Sequence, residues 1–297
     1  MKTVTVRVVG GLGNQMHCYA FGRAIAAQNQ AELTLDAESG FWNDPYRREY
    51  LLDRFSGLVA GYRSFAKHTE TARLFFKCGL RLGAVCSQWL PVSRKWVVVE
   101  KAPWRYRPDI HHARYAGNPY FMGYWASYRY YEDIEQELRR ELKPPLPEHP
   151  SALELLSRIQ SCRSCFIHWR SYGEEKSAHP HDLNEYYRRA VKVILEKYPD
   201  IVFFVFSDDP VKAREAVSSP EGKTFYVNLP ALEGNARSLT DFYLMYSCDH
   251  AIIGDSTFSW WAAWLSEHEH KMVIAPKGLA PWGEDWASSR WASLDID

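Results

Sequence analysis

Between residues 143 and 150 the chain reads Lys-Pro-Pro-Leu-Pro-Glu-His-Pro. Four prolines in eight residues fit neither a helix interior nor a central strand, because each fixes φ and removes an N–H donor. The run is read as a linker. It divides the 297 residues into segments 1–143 and 151–297, each of ordinary domain size.

The second segment has the more legible pattern. Cys165–Trp169, Val202–Phe206, Thr224–Val227, Ala251–Gly254 and Lys271–Ala275 are short apolar runs that read as buried strands. Between them, Tyr187, Ala190, Val191, Ile194, Leu195 and Tyr198 recur on one helical face over 184–197, and helices are expected over 239–248 and 257–267. Alternation of this kind implies a parallel sheet covered on both faces. The first segment opens the same way: alternating Thr3–Val9, the turn Gly10-Gly11-Leu12-Gly13-Asn14-Gln15, a helix through Ala27, and a strand at Glu32–Asp36. Residues 40–130 have poor periodicity and are read as mixed helix and loop. The expected architecture is α/β, with two Rossmann-like domains facing a cleft.

Composition narrows the partners. Thirty-six Lys and Arg balance thirty-six Asp and Glu, so nucleic acid is not expected as a partner. Twelve Trp, eighteen Tyr and fourteen Phe fit either sugar-handling clefts or large cores. The N-terminus runs directly into a strand, so no signal peptide is expected, and no apolar run is long enough to span a membrane. Six scattered cysteines point to a reducing cytoplasm rather than a disulfide scaffold. Basic and aromatic residues from Arg63 to Arg107 suit peripheral contact at the inner face of a membrane; a solvated basic face is the alternative.

Several motifs fail on inspection. Gly11-Leu12-Gly13 begins a dinucleotide fingerprint, but Met16 stands where the third glycine would permit close helix packing. Gly222-Lys223-Thr224 lacks the leading glycine of a phosphate loop, since Val217 occupies that place. Cys162 and Cys165 have no second pair for zinc, and His111-His112, His179-Pro180-His181 and His268-Glu269-His270 lack a convincing third ligand. Asp295-Ile296-Asp297 lies at the chain end, where fraying is normal. No metal site is expected.

Three clusters remain, each at the carboxyl end of an expected strand, where open α/β sheets bind ligands. Gly10–Gln15 lets backbone approach a ligand while Asn14 and Gln15 offer amides; a tight turn with Asn14 capping the helix is the plain alternative. His168 and Arg170 leave a buried strand, and the planar fork of an arginine suits a diphosphate, with an interdomain ion pair as the alternative. Asp255-Ser256-Thr257-Phe258-Ser259 opens a helix after another strand, and unsatisfied N–H groups there favour phosphate unless Ser256 or Asp255 merely caps the helix. Trp260, Trp261 and Trp264 are read as core. Together the clusters suit a nucleoside diphosphate.

Gly10–Met16 with Tyr19-Ala20, Ile167-His168-Trp169-Arg170, Phe206-Ser207-Asp208-Asp209, Asp241–Met245 and Ser256–Leu265 resemble, in order, the signature blocks of the alpha-1,2-fucosyltransferases. The resemblance implies a two-domain GT-B type fold, with an acceptor-side domain at 1–143 and a GDP-sugar domain at 151–297. It implies inverting, metal-independent transfer of L-fucose from GDP-fucose to the 2-hydroxyl of a β-galactoside in an oligosaccharide, with no cofactor. Arg170 would hold the diphosphate. His168 and Asp241 would face the guanosine, and Ser256, Thr257 and Phe258 would cradle phosphates and guanine. Asp208 and Asp209 would shape the nucleotide side or act structurally, and Gly11, Gly13, Asn14 and Gln15 would cross toward the donor sugar and the acceptor. The family's His-x-Arg-Arg-x-Asp string is here His168-Trp169-Arg170-Ser171-Tyr172-Gly173-Glu174-Glu175, so any acidic base shifts to Glu174 or Glu175. The rival readings are another GDP-sugar transferase, a nicotinamide oxidoreductase and a glycan-binding protein without enzymatic activity.

Overall fold

The computed structural model describes residues 1–63, 70–102, 104–171, 182–217, 219–220, 222–279 and 285–296. The chain divides into two compact units, Met1–Lys143 and Pro144–Asp297. The first contains β1 (Thr3–Arg7), α1 (Leu12–Gln28), β2 (Glu32–Asp36), β3 (Gly61–Arg63), α2 (Glu70–Ser87), β4 (Val97–Val99), α3 (Pro108–His111), β5 (Tyr120–Met122) and α4 (Glu135–Glu141). Its strands form a parallel sheet of order β3-β2-β1-β5-β4.

The alternation in β1 turns Val4 and Val6 into the core, and α1 beside it is buried on nearly every side. Phe21 of α1 stacks on Trp125 with centroids 4.2 Å apart and meets Phe121 and Tyr130 edge-on. Arg23 holds Glu141 through Nε at 2.9 Å and a terminal nitrogen at 2.7 Å, and Tyr19 donates to the same carboxylate at 2.6 Å. These bonds tie α4 to α1 and close the unit. Within the stretch read as mixed helix and loop lie β3, β4 and β5, three residues each, too short for alternation to register in the sequence.

The second unit contains α5 (Pro150–Gln160), β6 (Ser164–Trp169), α6 (Asn184–Lys197), β7 (Val202–Ser207), α7 (Pro210–Val217), β8 (Thr224–Tyr226), α8 (Gly234–Tyr246), β9 (His250–Ile252), α9 (Thr257–Leu265), β10 (Val273–Lys277) and β11 (Ala292–Asp295). The sheet order is β11-β10-β9-β6-β7-β8, all parallel. Successive strands run one way from β6 and then the other way from β9, the doubly wound order whose reversal opens a crevice at the strands' carboxyl ends. Tyr186 on α6 donates to the carbonyls of Ile253 and Ile274, pinning β9 and β10.

Two readings change here. The proline run ends in a helix, because Pro150 sits at the first helical position, where its missing N–H is harmless, and His149 caps by accepting from the Ser151 N–H. Asp295 lies in β11, paired with Lys277 of β10, instead of in a frayed end. The aromatic excess goes largely to core: Trp125, Trp260, Trp261 and Trp264 are fully buried.

Candidate active site

At the carboxyl edge of the second sheet, β6 and β9 are neighbours at the order reversal. β6 is buried along its whole length and delivers His168 into the protein and Arg170 to the surface just past its end. Arg170 Nε lies 3.5 Å from Asp208, which follows β7, and the same Asp208 accepts from the Ser171 N–H at 2.8 Å. Asp208 therefore shapes the turn that leaves β6. Asp209 does different work: it accepts from the Lys212 N–H at 3.1 Å and caps α7. The Lys212 amide and ammonium hold its carboxyl below the usual range.

His168 is 7% exposed, and its Nδ1 is buried with no hydrogen-bond partner. Burial, aided by the Arg170 charge, pushes its pKa down to about 3, so the imidazole is neutral at physiological pH. The ring lies 5.7 Å from Phe258, which meets Phe242 edge-on at 5.3 Å. Asp241, adjacent to Phe242 on α8, is gripped by Arg237 Nε at 2.8 and 2.7 Å. Burial lifts its pKa to about 6 against the opposing pull of Arg237. Arg237 also reaches the Leu229 and Val227 carbonyls, so one guanidinium fixes both Asp241 and the loop after β8.

Ser256 is the N-cap of α9, its Oγ accepting from the Phe258 N–H at 3.3 Å. The cap and an anion-facing helix end coexist, since a single hydroxyl answers one of several orphan donors. Just ahead of it, a Cβ on Gly254 would come within 2.3 Å of the Tyr187 hydroxyl, and that hydroxyl donates to the His168 carbonyl at 2.7 Å. Tyr187 thus links the ends of β6 and β9. Sequence periodicity identified it only as part of a buried face, and Arg237 escaped notice because its partner four residues on was read for guanosine alone.

Gly11, Gly13, Asn14 and Gln15 lie at the turn from β1 into α1. They form the cap and first turn of α1, with Gly11 and not Asn14 at the N-cap. Gly10 has φ +75°, and a Cβ there would press on the Asn14 amide at 2.6 Å. Gln15 is fully buried: Nε2 donates to the Gly10 and Glu49 carbonyls and Oε1 accepts from the Leu51 N–H. Its amide is engaged inside the first unit, which leaves Asn14, with a buried unpartnered Oδ1, as the polar group of this turn that still lacks a partner. Glu174 and Glu175 lie outside the described residues, as do His179 and His181. Among the described residues all six cysteines are free thiols, and no three His, Cys, Asp or Glu side chains converge as a metal site.

The sequence profile of glycosyl transferase family 11 matches residues 107–281, more than half of the chain. An alpha-1,2-colitosyltransferase of Escherichia coli is 28% identical over 289 residues, 96% of this chain and 93% of that protein. A galactoside 2-alpha-L-fucosyltransferase of Caenorhabditis elegans is 26% identical over 154 residues, 49% of this chain and 42% of its own length. Among solved structures, a variant of Arabidopsis thaliana FUT1 in complex with GDP has a TM-score of 0.55 at 14% identity, over 92% of this chain and 70% of that one. Fucosyltransferase NodZ from Bradyrhizobium has a TM-score of 0.50 at 15% identity, over 88% and 91%. These likenesses show the fold, α/β units of GT-B type. The family profile runs through β6, β7, β9 and α9, the elements that carry the cluster, and the chain belongs to glycosyl transferase family 11.

Proposed function

We propose that this glycosyltransferase moves L-fucose from GDP-fucose to the 2-hydroxyl of a β-galactoside, with inversion at the anomeric carbon and without a metal ion. The observation that carries the reading is the gathering of Arg170, neutral His168, Phe258 and the start of α9 at the order reversal of one parallel sheet. In the reaction the acceptor oxygen bonds to C1 of fucose as the bond from C1 to the β-phosphate oxygen breaks. The bonding pair leaves with GDP, and the hydroxyl proton passes to a carboxylate, Glu174 or Glu175. Negative charge grows on the β-phosphate, where Arg170 and the α9 amides provide preorganised positive potential.

The remaining groups bind and orient. Phe258 offers a ring face to guanine, and His168 Nδ1 and the Asp241 carboxylate take its polar edge. Asp208 sets the direction of Arg170, and the first unit supplies the acceptor side. Free cysteines throughout suit a cytoplasmic setting. A second donor, GDP-colitose, is favoured by the relative that matches over 96% of this chain.

Calorimetry in excess EDTA with GDP, UDP, ADP and NAD tests the donor reading. Selective GDP binding is expected, and binding of UDP or NAD alone overturns it. GDP-fucose and GDP-colitose offered in turn with a galactoside then identify the sugar. The anomeric configuration of the product, read by NMR, decides between inversion and retention.

A further inference from the structure

Residues 71–99 carry Arg73, Lys77, Arg81, Arg94 and Lys95 and not one Asp or Glu, in a chain whose total charges balance. The same stretch supplies seven of the fourteen large hydrophobic side chains exposed among the described residues. On α2, Leu74, Phe75, Leu82 and Val85 are 58–74% exposed, with Cys78 at the surface among them and Cys86 just after. Their spacing sets them on one stripe of the helix. Trp96, 56% exposed, donates through Nε1 to the Gly83 carbonyl at 3.1 Å on a neighbouring face of the helix. An apolar stripe of this size is unusual on a soluble surface and marks a contact face.

Beside the stripe, a cavity of about 200 Å³ lies at the carboxyl edge of the first sheet. Arg7 at the end of β1 and Lys77 and Arg81 of α2 line it, with Ser39, Asn43 and Met122, and no carboxylate does. Arg7 donates to the Ser39 carbonyl at 2.8 Å, while its Nε is buried without a partner. The Asp36 carboxylate, cross-strand from Arg7 and bonded to Ser39, offsets one of these charges, and the three cations together leave an excess of positive charge that suits an anion. Arg81, seven residues after Leu74, borders the stripe, so the apolar face and the cationic rim of the cavity adjoin along one helix. A nucleic acid would call for the cations without the stripe. An anionic bilayer calls for both.

We propose that α2 and the segment after it dock on an anionic phospholipid bilayer, with the stripe in the interface and a lipid phosphate held by Arg7, Lys77 and Arg81. The docking is independent of the donor reading, because it is measured with neither nucleotide nor acceptor. In flotation assays the whole protein is expected to bind vesicles of phosphatidylcholine mixed with phosphatidylglycerol, to release them at high salt, and to ignore phosphatidylcholine alone. Phe75→Glu combined with Leu82→Glu should weaken binding about 100-fold or more, at roughly tenfold or more per apolar side chain. Arg7→Gln and Arg81→Gln should each cost about fivefold on the mixed vesicles, with melting temperatures held as a folding check.

Equal binding to both vesicle types, or none to either, overturns the proposal. Unchanged binding in Arg7→Gln overturns the cavity as the phosphate site. A thermal shift with inorganic pyrophosphate that needs Arg7, without vesicle binding, moves the phosphate to a soluble source. A concentration-dependent dimer in sedimentation, abolished by the Phe75→Glu, Leu82→Glu pair, assigns the stripe to a second copy of the chain.

Discussion

Each unit turns from its sheet into a helix through a glycine-bearing corner, and the two corners use their polar groups differently. After β1, the Gln15 amide satisfies Gly10, Glu49 and Leu51 and is sealed from solvent. After β6 and β9, His168 Nδ1 has no partner, Ser256 answers one amide of α9, and Arg170 stands at the surface beside Asp208. A glycine corner at a helix start is thus a site only where its polar groups are left for something else. The first corner uses its glutamine for packing and leaves Asn14 Oδ1 over, while the second leaves His168 Nδ1 over beside a surface arginine.

The largest effect that would break this comparison is on Arg170. Arg170→Ala is expected to lower turnover by about 100-fold or more, as loss of an oxyanion donor does. Near-normal kcat would remove the second corner from the chemistry. Next is Gln15→Ala, which leaves the Leu51 N–H and two carbonyls without their partner. At about 1–3 kcal/mol for a buried group left unsatisfied, a loss near 3 kcal/mol in unfolding free energy is expected, with GDP affinity unchanged. A lowered GDP affinity at unchanged stability would make the first corner a donor site after all.

The parts of this molecule that the sequence disclosed are those whose signal is local. The fully buried β6 and the single face of α6 announce themselves in apolar runs, and Arg170 stands out because it ends one of them. What the sequence hid depends on distant partners. Gln15 resembles a ligand group until Leu51 and Glu49 are found beside it. The three-residue strands β3 and β5 are strands because the longer β2 and β1 pair with them, and β4 because β5 does in turn. Arg237 and Tyr187 hold the site by reaching a carboxylate and a carbonyl, which no periodicity encodes.

Tyr187 offers a finer test of how the second corner is built. A Cβ at Gly254 would meet its hydroxyl at 2.3 Å, so Gly254→Ala is expected to cost about 1–3 kcal/mol through overpacking and to disturb the ends of β6 and β9. Tyr187→Phe removes the obstructing oxygen along with its bond to the His168 carbonyl. The double variant should therefore be more stable than the sum of the single losses by about 1 kcal/mol, the size of coupling expected for residues in contact. Strict additivity would mean that the backbone yields elsewhere.

The smallest effect is a pH dependence with opposite signs in stability and binding. Burial raises the Asp241 carboxyl from 3.8 to about 6. A raised carboxyl pKa favours folding while the group is protonated, so this contribution is full below 3.8 and lost as pH rises through about 6. Binding of a guanine edge requires the ionised carboxylate as acceptor, so GDP affinity should fall as pH drops through the same value, by up to about tenfold per unit. His168, with its pKa near 3, does not titrate in that range and cannot supply the midpoint. Asp241→Asn should flatten both curves, and Arg237→Gln should move the midpoint up by removing the charge that opposes burial. GDP affinity that stays constant from pH 5 to 7 in the unaltered protein (about one unit either side of the midpoint) would free Asp241 from the guanine, leaving it a partner of Arg237 alone.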